Sequence, residues 1–319
     1  MKICITLEPP HKSYGGGAFF VENLYDYFTA RDIDVVYHLE PGLDMIFIID
    51  PRRDQHNKYG IGEVLKYKRA YPKVKLLYAV NECDIKRDVS INLEPLIVHT
   101  ILNCDYIVFI SNWLRDYYFS KYPNVKNLFE QKHSVINNAC DPKYFYKRQY
   151  TRKPGDKIKI VTHHWSNNYF KGFEIYNELD KNLPRLKNIE FTYIGNYNRQ
   201  YLPKYIKYIT PRSHMPLADE IRKHDVYLTA SLYEPGGIHQ LEGMSCGLPV
   251  LYRRNGGGIA ETVRGAGEEF SNFFDMLKKL DLIINNYDNY TSKIDYEFLS
   301  SKRFGKQYYD LLKHLIQNK

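Results

Sequence analysis

The sequence lacks the clustered cysteines on which a disulfide framework or a structural zinc site depends. Its five cysteines lie far apart along 319 residues, with no Cys-x-x-Cys pair and no Cys/His cluster. They are Cys4, Cys83, Cys104, Cys140 and Cys246. We therefore expect free thiols and a reducing, cytoplasmic location.

Long hydrophobic runs are also absent. No stretch approaches the roughly 18 apolar residues that a membrane-spanning helix needs. Residues 1–8 contain too short an apolar run for a secretory signal. We expect a chain that is neither exported by such a signal nor integral to a membrane.

Acidic residues are fewer than basic ones. The 37 Asp and Glu residues against 45 Lys and Arg residues leave a net charge of +8, which favours an anionic partner such as a phospholipid surface, a phosphorylated ligand or nucleic acid. We interpret the 30 tyrosines and the many lysines as a compositional bias, so nucleic acid is the least favoured of these partners. The length, with 44% hydrophobic residues, predicts either two domains or one large α/β domain.

Short β-branched or aromatic runs alternate with amphipathic segments of helical length, which is typical of βαβ units around a parallel sheet. The predicted strands span residues 2–7, 35–38, 45–49, 74–80, 106–110, 158–162, 189–194 and 226–229. The predicted helices span residues 18–31, 62–70, 93–103, 112–121, 173–182, 217–223 and 296–315. These two series predict two Rossmann-like domains, joined by a basic linker at residues 142–159.

The most informative segment spans residues 230–250 and predicts a strand, a glycine turn, a helix, a glycine stop and a strand. Glu234 falls where the first strand ends. Gly236 and Gly237 let the backbone approach a ligand closely and open a helix, whose first N–H groups, including that of Ile238, can meet sugar hydroxyls or a phosphate. Glu242 follows about one turn later, where a carboxylate can accept two vicinal hydroxyls such as those of a ribose. A helix with no ligand fits the spacing alone equally well.

Several segments together resemble glycosyltransferase family 4, the retaining GT-B enzymes that use nucleotide sugars. Residues 234–250 resemble its Glu-x7-Glu donor signature, and the order and spacing of the other segments extend the resemblance over most of the chain. Those segments are Gly15-Gly16-Gly17, residues 108–114, residues 135–141 with Phe145, residues 194–196 and residues 256–261. The resemblance implies that Gly16 and Gly17 bind the donor.

Lys171 and Gly172 resemble the family's Lys-Gly pair, whose lysine meets the donor diphosphate. A lysine at a helix start gains no stabilisation from the helix dipole, so a phosphate partner would explain why a lysine occupies this position. The family usually carries an arginine where this sequence has Trp165, so we expect His163 or His164 to supply charge, or one phosphate contact to be missing. Paired histidines also suggest a metal, but no third ligand lies at useful spacing. We expect no metal and no cofactor.

Further candidates are less sharply marked. We expect His239 to be exposed on the first turn of the Glu-x7-Glu helix and to face the donor sugar. Asn81, Glu82 and Asp84 follow a strand of the first domain, and ligands of open parallel sheets bind outside the carboxyl ends of strands. They are candidates for acceptor binding, although ordinary loop polarity explains them too.

These observations lead to one interpretation with two alternatives. We expect a GT-B α/β fold of two Rossmann-like domains facing each other across a cleft, with an acceptor domain at 1–148, a donor domain at 149–300 and a helix at 301–319 returning to the first domain. The predicted reaction is metal-independent, retaining transfer from a nucleoside diphosphate sugar to a glycan, a lipid-linked or another hydroxyl acceptor, with Lys171 and Glu234 as catalytic residues. A sugar-nucleotide epimerase and a non-catalytic carbohydrate or nucleic-acid binding protein are the alternatives. Basic residues around one helix also predict peripheral contact with an anionic membrane.

Overall fold

The computed structural model describes residues 1–9, 16–54, 57–87, 92–149, 152–153, 155–198 and 200–317. The chain divides into two compact units. The first contains Met1–Asp84, Ile91–Ala139 and Ser301–Lys319, and the second contains Ile85–Ser90 and Cys140–Ser300. The units therefore change between Ala139 and Cys140, earlier than the sequence-based boundary at residue 148.

In the first unit, the described residues form one parallel sheet of six strands, in the order β2-β1-β3-β4-β5-β6. The strands are β1 (Lys2–Ile5), β2 (Asp34–Val36), β3 (Met45–Ile48), β4 (Lys75–Val80), β5 (Tyr106–Phe109) and β6 (His133–Val135). The helices are α1 (Gly16–Thr29), α2 (Ile61–Ala70), α3 (Glu94–Leu102), α4 (Asn112–Lys121) and α5 (Pro123–Phe129). Strands β1, β3, β4 and β5 are almost continuously apolar and buried, as expected of a parallel sheet that helices cover. The edge strands β2 and β6 are only partly buried.

The second unit has a parallel six-stranded sheet in the order β12-β11-β10-β7-β8-β9. Its strands are β7 (Ile158–His164), β8 (Ile189–Gly195), β9 (Lys207–Ile209), β10 (Val226–Thr229), β11 (Val250–Arg253) and β12 (Gly267–Phe270). The helices are α6 (Phe173–Asn182), α7 (His214–Ile221), α8 (His239–Ser245), α9 (Ile259–Val263), α10 (Phe273–Asn285), α11 (Tyr287–Ser292) and α12 (Tyr296–Leu299). This order reverses direction between β7 and β10, which are direct neighbours. Such a switch point is where open α/β sheets bind ligands.

The last helix, α13 (Ser301–Gln317), belongs to the first unit. Phe304, Tyr308 and Leu312 lie one turn apart on one face and are buried. The ring of Phe20 on α1 meets those of Phe304 and Tyr308 edge-on, with centroids 5.1 and 5.6 Å apart. The sequence predicts one helix over 296–315, but the extended backbone of Ser300 (ψ 134°) divides it into α12 and α13.

Several elements of the second unit are not predicted from the sequence. Strand β9 is a short edge strand, and β12 carries the charged pair Glu268 and Glu269, so neither shows an apolar run. Helix α10 is also missing from the predicted elements, although its apolar residues do have helical spacing. The buried ones are Phe273, Met276, Leu280 and Ile283. No helix among the described residues is long and apolar enough to cross a membrane.

The first residues of the predicted linker pack as part of the second unit. The guanidinium of Arg148 is buried and contacts the Asp225 carboxylate at 3.3 Å. The backbone N–H of Arg148 also donates to the carbonyl of Cys246 at 3.1 Å. A buried charge needs such a partner, and this explains why the second unit begins before residue 148.

Candidate functional site

The candidate residues of the second unit gather at the carboxyl ends of β7 and β10, where the strand order reverses. His163 and His164 end β7, and the segment that leads to Glu234 follows β10 directly. The turn Tyr169–Lys171 carries the lysine, and α8 carries Glu242. The predicted donor residues of this unit therefore share one region of it.

A glycine loop fixes the backbone of Glu234. The Glu234 N–H donates to the carbonyl of Gly256 at 3.3 Å, and its carbonyl accepts from the Gly258 N–H at 2.8 Å. Gly257 has a φ of +72°, and a Cβ at this position would overlap the Glu234 backbone. Tyr233 also has a positive φ of 54°, which is uncommon for a bulky residue and marks a locally strained turn.

Lys171 forms an ion pair with Glu234. The lysine is the last residue of the turn Tyr169–Lys171, which Asn168 caps by accepting from the Phe170 N–H at 2.8 Å. Gly172 then adopts a φ of +100°, and a Cβ there would overlap Ala230, so a glycine lets this turn approach β10. The Lys171 ammonium contacts Oε2 of Glu234, with 19% and 12% of the two side chains exposed. Burial raises the pKa of Glu234, but the nearby positive charges, of which Lys171 contributes most, and the hydrogen bond from Lys171 together outweigh burial and lower the pKa to about 2.

Glu242 lies on α8 and is buried. Its Oε2 is 2.6 Å from Nε2 of His163. The next residue, Gly243, lies so close to the ring of Tyr227 that a Cβ would overlap it. This close approach of α8 to β10 brings the carboxylate to the end of β7.

His239 is buried, so the expectation that it is exposed is wrong, whereas its contact with the donor sugar stays a prediction. Its Nε2 is 2.9 Å from the Thr229 hydroxyl, and its ring lies against Gly237, where an added Cβ would be 2.7 Å from Cε1. Burial lowers the pKa of His239 to about 3. All seven residues of α8 are buried, so the helix has no solvent face on which this histidine could lie.

His164 cannot supply the expected positive charge. It is buried, with Nε2 2.8 Å from the Tyr176 hydroxyl. Burial lowers its pKa well below the usual range, so the imidazole is neutral near pH 7. The contact of His164 with the donor stays a prediction. The segment comprising Gly236, Gly237 and Ile238 directly precedes α8, and its contact with the donor also stays a prediction.

The candidate residues of the first unit have defined local roles. Asn81 donates through Nδ2 to the Ile49 carbonyl at 3.0 Å, and Glu82 accepts from the N–H of Cys83 at 3.2 Å. The Asp84 carboxylate accepts from the N–H groups of Leu93 and Glu94 at the start of α3, at 3.0 and 3.2 Å. Their acceptor-side role stays a prediction.

The glycine loop of the first unit lies only in part within the described residues. Gly16 and Gly17 are exposed and begin α1, whereas Gly15 lies outside the described residues. A Cβ on Gly17 would meet Leu7 at an ordinary 3.5 Å. The residue type at Gly17 is therefore not imposed by packing, and donor contact by either glycine stays a prediction.

The described residues contain no group of three or more His, Cys, Asp and Glu side chains arranged to hold a metal ion. The sequence gives no sign of a role for Tyr227 or of a pairing between His163 and Glu242. No short-range signal could have found that pair, since 79 residues separate its members. It depends on the order of strands in the sheet.

Most of this site lies in a segment that matches a known protein family. Residues 172–274 match the family model described as "Glycosyl transferases group 1". No curated protein sequence matches the chain.

Solved structures of the same fold cover 98 to 100% of the chain. Sucrose-phosphate synthase from Thermosynechococcus elongatus has a TM-score of 0.73 at 13% identity, covering 100% of this chain and 99% of that one. HepE from Anabaena, in complex with UDP and glucose, has a TM-score of 0.68 at 14% identity, covering 98% and 100%. A glycosyltransferase from Rickettsia africae has a TM-score of 0.68 at 14% identity, covering 100% and 99%. The predicted GT-B fold of two Rossmann-like domains is confirmed.

Proposed function

Residues 172–274 form a domain of the glycosyl transferases group 1 family, and from this premise we propose that the chain moves a sugar from a nucleoside diphosphate sugar to a hydroxyl acceptor. The observation that carries the proposal is that the Lys171–Glu234 ion pair and the buried Glu242 carboxylate both lie beside the switch point of the second sheet. These side chains offer a cation for a diphosphate and two carboxylates for hydroxyl groups. UDP is the first nucleotide to test, because UDP is bound in the HepE structure.

Each of the three side chains has a proposed task. Negative charge grows on the diphosphate as the bond to the sugar breaks, and Lys171 stabilises it together with the amides of the segment comprising Gly236, Gly237 and Ile238. Glu234 accepts hydrogen bonds from hydroxyl groups of the donor sugar and so orients it. Glu242 accepts from the ribose hydroxyls. This arrangement needs no metal ion and no cofactor.

Retention of the anomeric configuration fits these assignments. An inverting enzyme needs a general base on the acceptor side, and the site residues proposed in the second unit all address the donor. In a retaining reaction, the departing phosphate oxygen takes the proton of the acceptor hydroxyl on the same face of the sugar. The first unit, with Asn81, Glu82 and Asp84, is the proposed location of the acceptor.

A lipid-linked acceptor would bring the chain to an anionic membrane from the cytoplasmic side. The basic cluster that supports this proposal comprises Lys66, Lys68, Arg69, Lys73 and Lys75 on and after α2. Lys66, Arg69 and Lys73 are exposed, whereas Lys68 contacts Asp105 at 3.2 Å. Each exposed cation near an anionic surface contributes about 1 kcal/mol. Sedimentation with anionic vesicles at low salt, but not with neutral vesicles, is the expected result, and equal absence from both pellets would contradict it.

The reaction class can be tested on the purified chain. Nucleotide sugars, beginning with UDP-glucose, are incubated with the protein in the presence and absence of glycan and lipid-linked acceptors, and the products are identified by mass spectrometry. A transferase produces a glycosylated acceptor and free nucleoside diphosphate. Conversion of one nucleotide sugar to another without an acceptor would identify an epimerase, and binding without any conversion would identify a carbohydrate-binding protein.

A further inference from the structure

His163 occupies a buried position between two polar side chains of the second unit. Its Nε2 lies 2.6 Å from Oε2 of Glu242 on one side of the ring. Its Nδ1 lies 3.0 Å from the Tyr227 hydroxyl on the other. Both neighbours are buried, so water cannot readily replace either contact.

The proton positions in this chain of contacts follow from the donors and acceptors present. The Tyr227 oxygen accepts from the His163 backbone N–H at 3.2 Å, and its own hydroxyl proton then points to the nearer available acceptor, Nδ1. Burial raises the pKa of Tyr227 well above its usual range, so the phenol keeps this proton. A neutral His163 that accepts at Nδ1 carries its hydrogen on Nε2 and donates it to Glu242.

The two oxygens of Glu242 therefore differ. Oε2 is the acceptor of the His163 N–H, whereas Oε1 has no hydrogen-bond partner within the part of the chain that the structure describes. A carboxylate fixed at one oxygen keeps the other in a constant direction. Gly243 adds to this restriction, because its contact with the Tyr227 ring sets the height of α8 above β10.

We infer that His163 is a positioning residue for the nucleotide, which it serves by holding Glu242 so that Oε1 receives the ribose hydroxyls of the donor. Tyr227 holds the imidazole in the tautomer that donates to Glu242. This inference rests on the proposed function, because it takes the ligand of Glu242 to be a ribose.

The test compares a nucleotide that has the ribose hydroxyls with one that lacks them. Binding of UDP and of 2′,3′-dideoxy-UDP to the full chain is measured by calorimetry. The wild type should prefer UDP by about tenfold to hundredfold, the scale of hydrogen bonds to a charged group. His163→Leu should reduce this preference to about threefold or less, whereas His163→Gln, which retains a donor at the position of Nε2, should restore most of it.

Two further variants separate positioning from general damage. Tyr227→Phe keeps the ring under Gly243 but removes the hydroxyl, and should lower the preference several-fold. His224→Leu is the matched control, because His224 is also buried in this unit but bonds to the carbonyl of Glu220 and the hydroxyl of Thr192. It should leave the preference unchanged even if it lowers Tm. With a nucleotide sugar, His163→Leu should raise KM for the donor more than it lowers kcat.

The outcomes distinguish this inference from the proposed function. A wild type that binds none of UDP, GDP and ADP would overturn both. If UDP binds and His163→Leu retains the wild-type preference over the dideoxy analogue, the inference about His163 is wrong and the proposed function stands. Equal loss of preference in His224→Leu and His163→Leu would also overturn it, since the effect would then be structural.

Discussion

The ammonium of Lys171 contacts Oε2 of Glu234, although 63 residues separate them in the chain. The pair is mostly buried and lies at the switch point of the second sheet. Under the proposed function, both partners change ligand when the donor binds, the lysine to the diphosphate and the glutamate to the sugar. The donor therefore has to compete with an internal ion pair.

Replacing Glu234 by Gln should strengthen the binding of a nucleoside diphosphate and weaken catalysis. The substitution frees Lys171 and removes a negative charge near the phosphate, so we expect UDP to bind more tightly by about 1 kcal/mol, or roughly fivefold in Kd. Turnover should fall by about 10² because the sugar loses its orienting carboxylate. Calorimetry and steady-state kinetics measure the two effects.

The matched control for Glu234→Gln is Glu174→Gln. Glu174 also pairs with a cation of this unit, Arg253, at 3.0 Å, but more than half of its side chain is exposed. This variant should leave both UDP affinity and turnover within about twofold of the wild type, since exposed pairs contribute little. Weaker UDP binding by Glu234→Gln would contradict the exchange of partners at Lys171.

Gly257→Ala should displace Glu234 and reduce activity. A Cβ at Gly257 would overlap the Glu234 backbone, and a displacement of about 1 Å in a positioning residue can reduce the rate by about 10²-fold. Gly265→Ala is the control, because Gly265 has a similar φ of +84° but faces only the flexible Lys293 side chain at 3.7 Å. Both variants should lose stability from backbone strain, and kinetics should show that only Gly257→Ala loses turnover. Equal turnover in the two would refute this role of the glycine loop.

The stability of the second unit should depend on the neutral state of His239. Its pKa is about 3 in the folded chain and near 6.5 when unfolded. Its contribution is therefore complete above pH 6.5 and is lost as the pH falls from 6.5 towards 3, by up to about 1.4 kcal/mol per pH unit. NMR of labelled imidazoles should show no titration of His239 between pH 7 and 5. Denaturant unfolding should show the wild type losing more stability than His239→Gln over pH 6 to 4, and parallel pH profiles would contradict this.

Chelation should leave donor binding intact. Lys171 and backbone amides supply the positive charge in the proposed mechanism, so excess EDTA should change UDP affinity and turnover by less than about twofold. Thermal shift with UDP, before and after EDTA treatment, measures the first effect. Loss of activity in EDTA together with its recovery in Mn²⁺ or Mg²⁺ would show that the diphosphate is neutralised by a metal ion.

The sequence predicts some elements of both units well because their signals are local. Strand β10 and helices α4 and α6 begin and end at the predicted residues, since apolar runs or spacing and flanking polar residues mark them. The resemblance also assigns Lys171 and Glu234 to one proposed site, and the structure brings the two side chains into contact.

The environment of His239 and the partner of Glu242 could not be predicted in the same way. Polar residues on a helix usually mark a solvent face, but α8 packs on every side, and His239 finds a partner in Thr229. The pairing of Glu242 with His163 arises because β7 and β10 are neighbours in the sheet. Only a correct strand order could have revealed that proximity.

A crystal structure of the chain with UDP bound would show directly whether the donor takes Lys171 from Glu234. We expect the diphosphate within hydrogen-bond distance of Lys171 Nζ, with Lys171 released from Glu234. We also expect the ribose hydroxyls on Oε1 of Glu242, while Oε2 stays on His163. UDP bound at another place on the second unit, or bound with the Lys171–Glu234 pair intact, would contradict the proposed donor site.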